Sequence, residues 1–224
     1  MTTRLAFLLI LSIASCQALS AKDSGAVQQY LADKTVATAE QWTHHDDGEV
    51  SLSIVVPKGW ETYNTSAGIV LNEYMGSGAP GVPLRGFLIH IFVPYVKRLR
   101  MPEPDQQVNY AWYVLKQVVH DPDYVGDALV SEPVAFQWDQ YDAAYYLLNN
   151  RDQTVTMLLA LEIPDHTHMV VCHISVPEDQ ATRIRRLLPD LLSTLTIDDH
   201  LVGDDALHNL PDPLVFPVVD QPDQ

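Results

Sequence analysis

The sequence predicts an α+β fold in which helices flank an antiparallel β-sheet. Three observations lead to this prediction. Several short segments alternate apolar and polar residues, as half-buried strands do, and turn residues separate them. Two other segments, near 105–120 and after Pro177, repeat apolar residues at helical spacing. A chain of 224 residues with 47% hydrophobic residues is also large enough to bury a sizeable core.

The N-terminal half of the predicted domain consists mainly of strands. Asp47-Gly48 is a strong turn dipeptide and predicts a hairpin between the segments on either side of it. In the second of these segments Val50, Leu52, Ile54 and Val56 alternate with polar residues, so one face should be buried. Further strands are predicted over AGIVLNEYM (67–75) and GFLIHIFVPYV (86–96), and the Gly- and Pro-rich segment GSGAPGVP (76–83) between them is predicted to be a mobile loop.

The C-terminal half begins with a helix. Apolar spacing predicts this helix from Asp105 to His120, after Pro104 and before Pro122. Four strand segments follow: VSEPVAFQW (130–138), DAAYYLLNN (142–150), TVTMLLALEI (154–163) and HMVVCHISV (168–176). We expect Trp60 and Trp112 to anchor the core and give them no binding role.

A second helix is predicted to start at Pro177-Glu178-Asp179, because proline and acidic residues suit a first helical turn. Pro189 should kink or split this helix near Leu188. The remaining segment, 198–224, is acidic, contains prolines and has no Lys or Arg. We expect much of this tail to be loose.

An N-terminal targeting segment precedes the domain. Arg4 is followed by an apolar run from Leu5 to Ala14, roughly half the length that crosses a bilayer. Small residues and then Cys16 end the run, and the chain turns polar at once. This arrangement is typical of a cleaved signal peptide, which we assign to residues 1–15. Residues 16–37 are then interpreted as a tether.

Residues 13–16, Ile-Ala-Ser-Cys, resemble the lipobox of bacterial lipoproteins. The resemblance implies a thioether-linked diacylglycerol on Cys16, usually with a further acyl chain such as palmitate on its new amino group. Such chains anchor a protein stably, because each buried methylene group adds about 0.8 kcal/mol. The alternative is an ordinary signal peptide cut near Ser15 or Ala18, which leaves Cys16 incidental. If Cys16 carries lipid, Cys172 has no disulfide partner and should be a buried thiol.

The order of the elements resembles the PsbP-like fold, which is shared with a yeast Ran-binding nuclear protein and many bacterial lipoproteins. The resemblance rests on SLSIVVPKGWE (51–61), the helix near 105–120, the DAAYYLLNN strand and the strand–helix ending over 168–196. It covers about 38–197 and implies a PsbP-like α/β/α sandwich there. Pro189 and the acidic tail over 198–224 depart from the family's pattern.

Charge limits the possible partners. The chain has 13 Lys and Arg residues against 29 Asp and Glu residues, a formal net charge of −16. We therefore expect no nucleic-acid partner, since phosphate binding depends on clustered positive charge. Six basic residues do fall in two clusters: Lys97, Arg98 and Arg100, then Arg183, Arg185 and Arg186. They could contact lipid headgroups or an acidic partner, or form a solvated loop and helix face.

Two histidine groups are candidate metal ligands. His44-His45-Asp46-Asp47 is rich in ligand types, but adjacent strand residues point to opposite faces. His166 and His168 could share a strand face, with Asp165 beside them at the turn, and could start a zinc, manganese or copper site. Further ligands are not visible in the sequence, so we expect no cofactor besides the lipid on Cys16. His173 is expected to be a packed polar residue.

The sequence contains no Gly-x-Ser-x-Gly, His-Glu-x-x-His or Cys-x-x-Cys motif and no phosphate-binding loop. The leading hypothesis is therefore a non-enzymatic, membrane-anchored extracytoplasmic lipoprotein that acts as an interaction or assembly module for envelope proteins. The second is a binding protein for a small ligand or metal, between the sheet and loop 76–83. The third is a hydrolase with an unrecognised site.

Overall fold

The structure, a computed structural model, describes residues 50–94, 107–163 and 169–218, together with the backbone of 35–44. The strands are β1 (Thr35–His44), β2 (Val50–Pro57), β3 (Glu61–Asn64), β4 (Gly68–Asn72), β5 (Leu88–Phe92), β6 (Leu129–Val130), β7 (Val134–Trp138), β8 (Tyr141–Asn149), β9 (Thr154–Glu162), β10 (Met169–Pro177), β11 (Thr196–Ile197) and β12 (His200–Leu201). The helices are α1 (Tyr110–Val118), α2 (Pro122–Val125), α3 (Thr182–Leu192) and α4 (Asp205–His208).

The strands form two sheets, and every strand pair among the described residues is antiparallel. The large sheet has the order β3-β4-β5-β10-β9-β8-β6, with β7 also paired to β8, and the small sheet has the order β1-β2-β11-β12. β1 and β2 pair with His44 opposite Val50, which confirms the predicted hairpin, although its turn lies outside the described residues. The predicted α+β class with an antiparallel sheet is confirmed.

One face of the large sheet is covered across its central strands, and we call it the closed face. Strict alternation in β2 buries Val50, Leu52, Ile54 and Val56, as predicted, and these side chains share one cluster with the closed face. The helix α3 adds Ile184, Leu188 and Leu191 to the same cluster. This outer layer therefore consists of a helix and a second sheet together, because the N-terminal hairpin pairs with β11 and not with the large sheet.

The opposite face packs against α1. Ala111, Val114 and Leu115 of this helix form a buried cluster with side chains of β8, β9 and β10. The helix begins at Tyr110, later than the predicted start at Asp105. The reason is a side-chain cap: Asn109 accepts a hydrogen bond from the backbone N–H of Trp112, so the chain turns into a helix only there.

Of the two outcomes predicted for Pro189, a kink or a split of the second helix, the split is wrong. A 3₁₀ turn over Glu178–Gln180 precedes α3, which is continuous through Pro189 to Leu192. Pro189 is buried, and its carbonyl oxygen accepts the N–H of Ser193 at 2.9 Å. Burial of the apolar stripe thus outweighs the backbone hydrogen bond that a proline inside a helix cannot make.

The first part of the predicted loose tail, residues 198–210, is packed, so the expectation is wrong for this part. Ser51 donates its backbone N–H to Asp198 Oδ1 at 2.8 Å, beside the pairing of β2 with β11. Val202 and Leu207 are fully buried in the closed-face cluster. Trp138, also fully buried, donates its indole N–H to the carbonyl oxygen of Gly203. Apolar contacts to the core thus hold a segment whose acidic composition suggested disorder.

Among the tryptophans with described side chains, Trp138 is fully buried and anchors the closed face, a role predicted for Trp60 and Trp112. Trp60 and Trp112 are partly buried and pack at the edges of the two core clusters. Trp60 stacks on Phe87 with ring centroids 5.9 Å apart, and Trp112 donates its indole N–H to the carbonyl oxygen of Pro133. Trp60 and Trp112 therefore each cover one edge of the core.

In the described ranges, none of the helices is sufficiently long and apolar to cross a membrane.

Candidate binding site

The second face of the large sheet is only partly covered, and we call it the half-covered face. The helix α1 packs mainly over β8 and its neighbours, at one side of the sheet. On β5 and β10, Leu88, His90 and His173 point to this face and remain partly exposed. The pairing aligns Leu88 with Ser175 and His90 with His173. The face therefore offers a surface that the rest of the described chain does not fill.

A cleft of about 1200 Å³ lies on the half-covered face. Leu88 and Ser175 form its floor, the loop over 78–85 forms one wall, and the turns over 152–154 and 177–180 form the other. This position, between the sheet and the Gly- and Pro-rich loop, is where the second hypothesis expected a ligand. The cleft is therefore the candidate binding site.

Hydrogen bonds hold the loop wall of the cleft against the sheet. Asn72, at the end of β4, donates its side-chain N–H to the carbonyl oxygen of Ser77 at 2.9 Å. Ser77 is almost fully buried, and its hydroxyl accepts a hydrogen bond from the backbone N–H of Arg85 at 2.8 Å. Glu61 accepts the N–H of Gly76 at 3.1 Å. These hydrogen bonds hold the start of the loop to β3 and β4 and join it to the end of the loop at Arg85.

Four residues join this loop to the segment that leads into α3, and we call them the latch: Glu73, Arg85, Gln180 and Arg183. The carboxylate of Glu73 pairs with the guanidinium of Arg183 at 2.6 Å and also accepts the backbone N–H of Phe87 at 3.0 Å. Gln180 donates to the carbonyl oxygen of Arg85 at 2.9 Å and accepts from Arg183. The two walls of the cleft are therefore linked at one end.

The latch changes the interpretation of one basic cluster. Arg183 is engaged with Glu73 and also lies over the ring of Phe87, 5.0 Å from its centroid. Arg185 donates to the carbonyl oxygens of His208 and Leu210, and so it fixes the tail. Two of the three arginines in this cluster thus have structural partners inside the domain. The other cluster, Lys97, Arg98 and Arg100, lies outside the described residues.

Two histidines with lowered pKa values, His90 and His173, lie next to the cleft floor. Burial lowers the pKa of His173 to about 4, and the neighbouring His90 adds to the effect. Burial also lowers the pKa of His90, whose ring stacks on Phe92 with centroids 4.5 Å apart and lies 3.3 Å from the Thr65 hydroxyl. Both imidazoles are therefore neutral at pH 7. His173 is the packed polar residue that was predicted from the sequence, and its partner across the strand pair is His90.

Cys172 is buried and has no disulfide, and burial raises the pKa of its thiol to about 12. It therefore behaves as an apolar side chain and not as a nucleophile.

Across the three ranges with described side chains, no group of three or more His, Cys, Asp or Glu residues could hold a metal ion. The predicted lipid site Cys16 and the predicted metal ligands Asp165, His166 and His168 lie outside the described residues, as do His45, Asp46 and Asp47, and only the backbone of His44 is described.

Comparison with solved structures finds similar folds at low sequence identity. Cyanobacterial PsbP from Synechocystis matches with 14% identity and a TM-score of 0.42, over 72% of this chain and 94% of its own. LpqN of Mycobacterium tuberculosis, involved in cell envelope biogenesis, matches with 15% identity and a TM-score of 0.43, over 75% and 94%. The Ran-binding protein Mog1p of Saccharomyces cerevisiae matches with 12% identity and a TM-score of 0.40, over 74% and 97%.

These matches include a PsbP protein and a Ran-binding protein, so the resemblance predicted from the order of elements is found again in the comparison of structures. No protein-family model matches the chain, and no curated protein matches it either.

Proposed function

We propose that this protein is a non-enzymatic binding module, held on the outer side of a membrane by lipid on Cys16, that takes part in the assembly of envelope proteins. The observation that carries the binding role is the cleft on the half-covered face. It is preformed by the latch, and it is lined by apolar, amide and carboxylate groups, which bind by contact and hydrogen bonding. The position of Cys16 after a short apolar run supports the anchor.

The loop wall of the cleft supports a macromolecular partner. Val82, which lines the cleft, is 41% exposed. Tyr74 and Met75, earlier in the same connection between β4 and β5, are 46% and 85% exposed. Large apolar side chains exposed within one connection mark an interaction surface more often than isolated ones do. A partner that enters the cleft would cover Val82.

Capture of partners from the protein's own membranes tests the binding role. The full-length protein is extracted gently and its stable partners are identified, in parallel with Val82→Asp and Val134→Asp. The second variant is the matched control, because Val134 is 46% exposed but lies on β7, away from the cleft. We expect Val82→Asp to lose a partner that the wild type and Val134→Asp retain. Absence of any stable partner, or equal recovery with both variants, would contradict the proposal.

Replacement of the lipidated residue tests the anchor separately. We expect Cys16→Ser to release the protein from membranes or to leave the precursor uncut, because serine provides no thiol for a thioether. Fractionation and the mass of the N-terminal peptide measure this. Unchanged membrane retention together with unchanged processing would exclude lipidation at Cys16.

A small ligand is the second candidate, favoured by a polar group on the floor of the cleft. The hydroxyl of Ser175, beside Leu88, lines the cleft and is held 2.7 Å from the hydroxyl of the buried Thr156, and such a fixed polar group can orient a small molecule. Native mass spectrometry of freshly purified protein would detect a retained ligand.

Metal analysis of the same sample, with His166→Ala/His168→Ala as the comparison, tests the predicted metal site at Asp165, His166 and His168. Stoichiometric metal that this variant loses would support that site, and absence of metal would exclude it.

A further inference from the structure

The two walls of the cleft differ in chemistry, since one is acidic and the other is mainly apolar. This difference indicates the class of partner that the cleft would bind. One wall carries the exposed carboxylates of Asp152, Glu178 and Asp179. The other presents Val82, Pro83 and Leu84, and Arg85 is the basic residue that lines the cleft. Three carboxylates and one guanidinium thus line the cleft, so it favours a cationic occupant.

We propose that the cleft binds an extended polypeptide segment in which Lys or Arg residues alternate with apolar residues. This inference rests on the proposed function and deepens it. Successive side chains of an extended chain point to opposite sides. One row can therefore meet the carboxylates of Glu178 and Asp179, while the other row lies against Val82 and Leu84.

The size of the cleft agrees with a polypeptide segment. Its volume of about 1200 Å³ exceeds the range of about 300–1,000 Å³ that is usual for small-molecule sites. Several of its lining residues are exposed, among them Val82 and Asp179, so the cleft is open to solvent and to a longer chain. The apolar floor residue Leu88 gives the segment a surface to cover.

The latch makes such binding less costly. A loop that must become ordered on binding reduces the affinity, because its conformational entropy is lost. Here the ion pair of Glu73 with Arg183 and the hydrogen bond from Gln180 to Arg85 already fix the walls. An anionic lipid surface is disfavoured as the occupant, since it is flat and the carboxylate wall repels it.

A binding experiment with two peptides tests the partner class. The probes are fluorescein-labelled peptides of about ten residues, one alternating lysine with leucine and the other alternating glutamate with leucine. Fluorescence anisotropy measures their affinity for the full-length protein in mild detergent. We expect the lysine peptide to bind at least about tenfold more tightly, with an affinity that falls as salt rises. Equal binding of the two peptides, or no binding of either, would overturn the proposal.

Charge-removing variants place the binding in the cleft. Glu178→Gln/Asp179→Asn removes two carboxylates from one wall with little change of shape, and Asp127→Asn/Glu132→Gln removes two exposed carboxylates elsewhere. We expect the first pair to weaken the lysine peptide about tenfold and the second to leave it within about twofold. Equal effects of the two pairs would mean that net charge alone attracts the peptide, and the proposal would be wrong.

Two further results separate this proposal from the binding role itself. If membranes yield a partner that Glu178→Gln/Asp179→Asn retains, the proposed function stands and the basic-peptide inference fails. If the lysine peptide binds in the cleft but membranes yield no partner, the chemistry of the cleft stands and the assembly role fails. Vesicles of phosphatidylcholine and phosphatidylglycerol serve as the remaining probe, and they are mixed with Cys16→Ser protein, with and without Val82→Asp. If the Cys16→Ser protein binds the vesicles and the added Val82→Asp abolishes this binding, the occupant is a lipid surface and the peptide proposal is wrong.

Discussion

The two faces of the large sheet are built from the same strands but are used differently. On the closed face, Ile89, Cys172 and Ile174 are sealed under the small sheet and α3. On the half-covered face, Leu88, His90 and His173 of the same two strands remain partly exposed beside the cleft. Alternation along one strand thus separates the buried core from the face that carries the candidate site, since consecutive residues point to opposite faces. Substitutions on the two faces test this division.

The largest effect is expected from a pair of adjacent leucines. Leu159 is fully buried on the closed face, whereas Leu158 is partly buried on the other face. Leu159→Ala should lower the free energy of unfolding by about 3 kcal/mol, because it leaves a cavity in a packed core. Leu158→Ala should lower it by about 1 kcal/mol, because less apolar area is lost. Urea denaturation of both variants measures the difference, and equal losses would show that the two faces are equally packed.

The next effect concerns pH and the histidine pair. Burial lowers the pKa of His173 from 6.5 to about 4, so between these pH values the unfolded chain binds a proton that the folded chain does not. Stability should therefore fall as pH drops from about 6.5 to about 4, by at most about 3 kcal/mol, with no further loss from this group below that window. His173→Leu should flatten this part of the pH profile, whereas His200→Gln, at an exposed position, should not. Profiles that stay parallel in His173→Leu and wild type would contradict the assignment.

The smallest effect is expected at the latch. Glu73→Gln removes the carboxylate that pairs with Arg183, and we expect a loss of about 1 kcal/mol, since the guanidinium is partly exposed to solvent. The informative measurement is amide hydrogen exchange over 76–85. It should accelerate in Glu73→Gln and remain unchanged in the control Arg186→Ala, whose side chain is exposed. Unchanged exchange in Glu73→Gln would mean that the other hydrogen bonds of the loop hold it without this ion pair.

Local patterns made most of the strands predictable from the sequence. The alternation in β2 and the apolar residues of β5 are direct consequences of burial on one side, and the structure buries the residues that the pattern selects. The helix boundaries were harder to predict from the sequence than the strands. Pro104 suggested the start of α1, but the cap that determines it is Asn109, which also donates to carbonyl oxygens of β7 and β8. Such tertiary hydrogen bonds leave no local signal.

The candidate site was predictable only in part. Loop 76–83 stood out through its glycines and prolines, and it does form a wall of the cleft. The histidine pair was not predictable, because His90 and His173 are 83 positions apart and meet only through the pairing of β5 with β10. The packed start of the tail was hidden for a related reason: Val202 and Leu207 lie among acidic residues, and their burial depends on the distant Trp138.

The small sheet also sets an order of events for folding. Its central pair joins β2 to β11, and the hydrogen bond from Ser51 to Asp198 beside it spans 147 positions. Contacts between such distant positions form slowly, since a long loop has to close first. The N-terminal hairpin therefore cannot complete its sheet until the last part of the chain has been made.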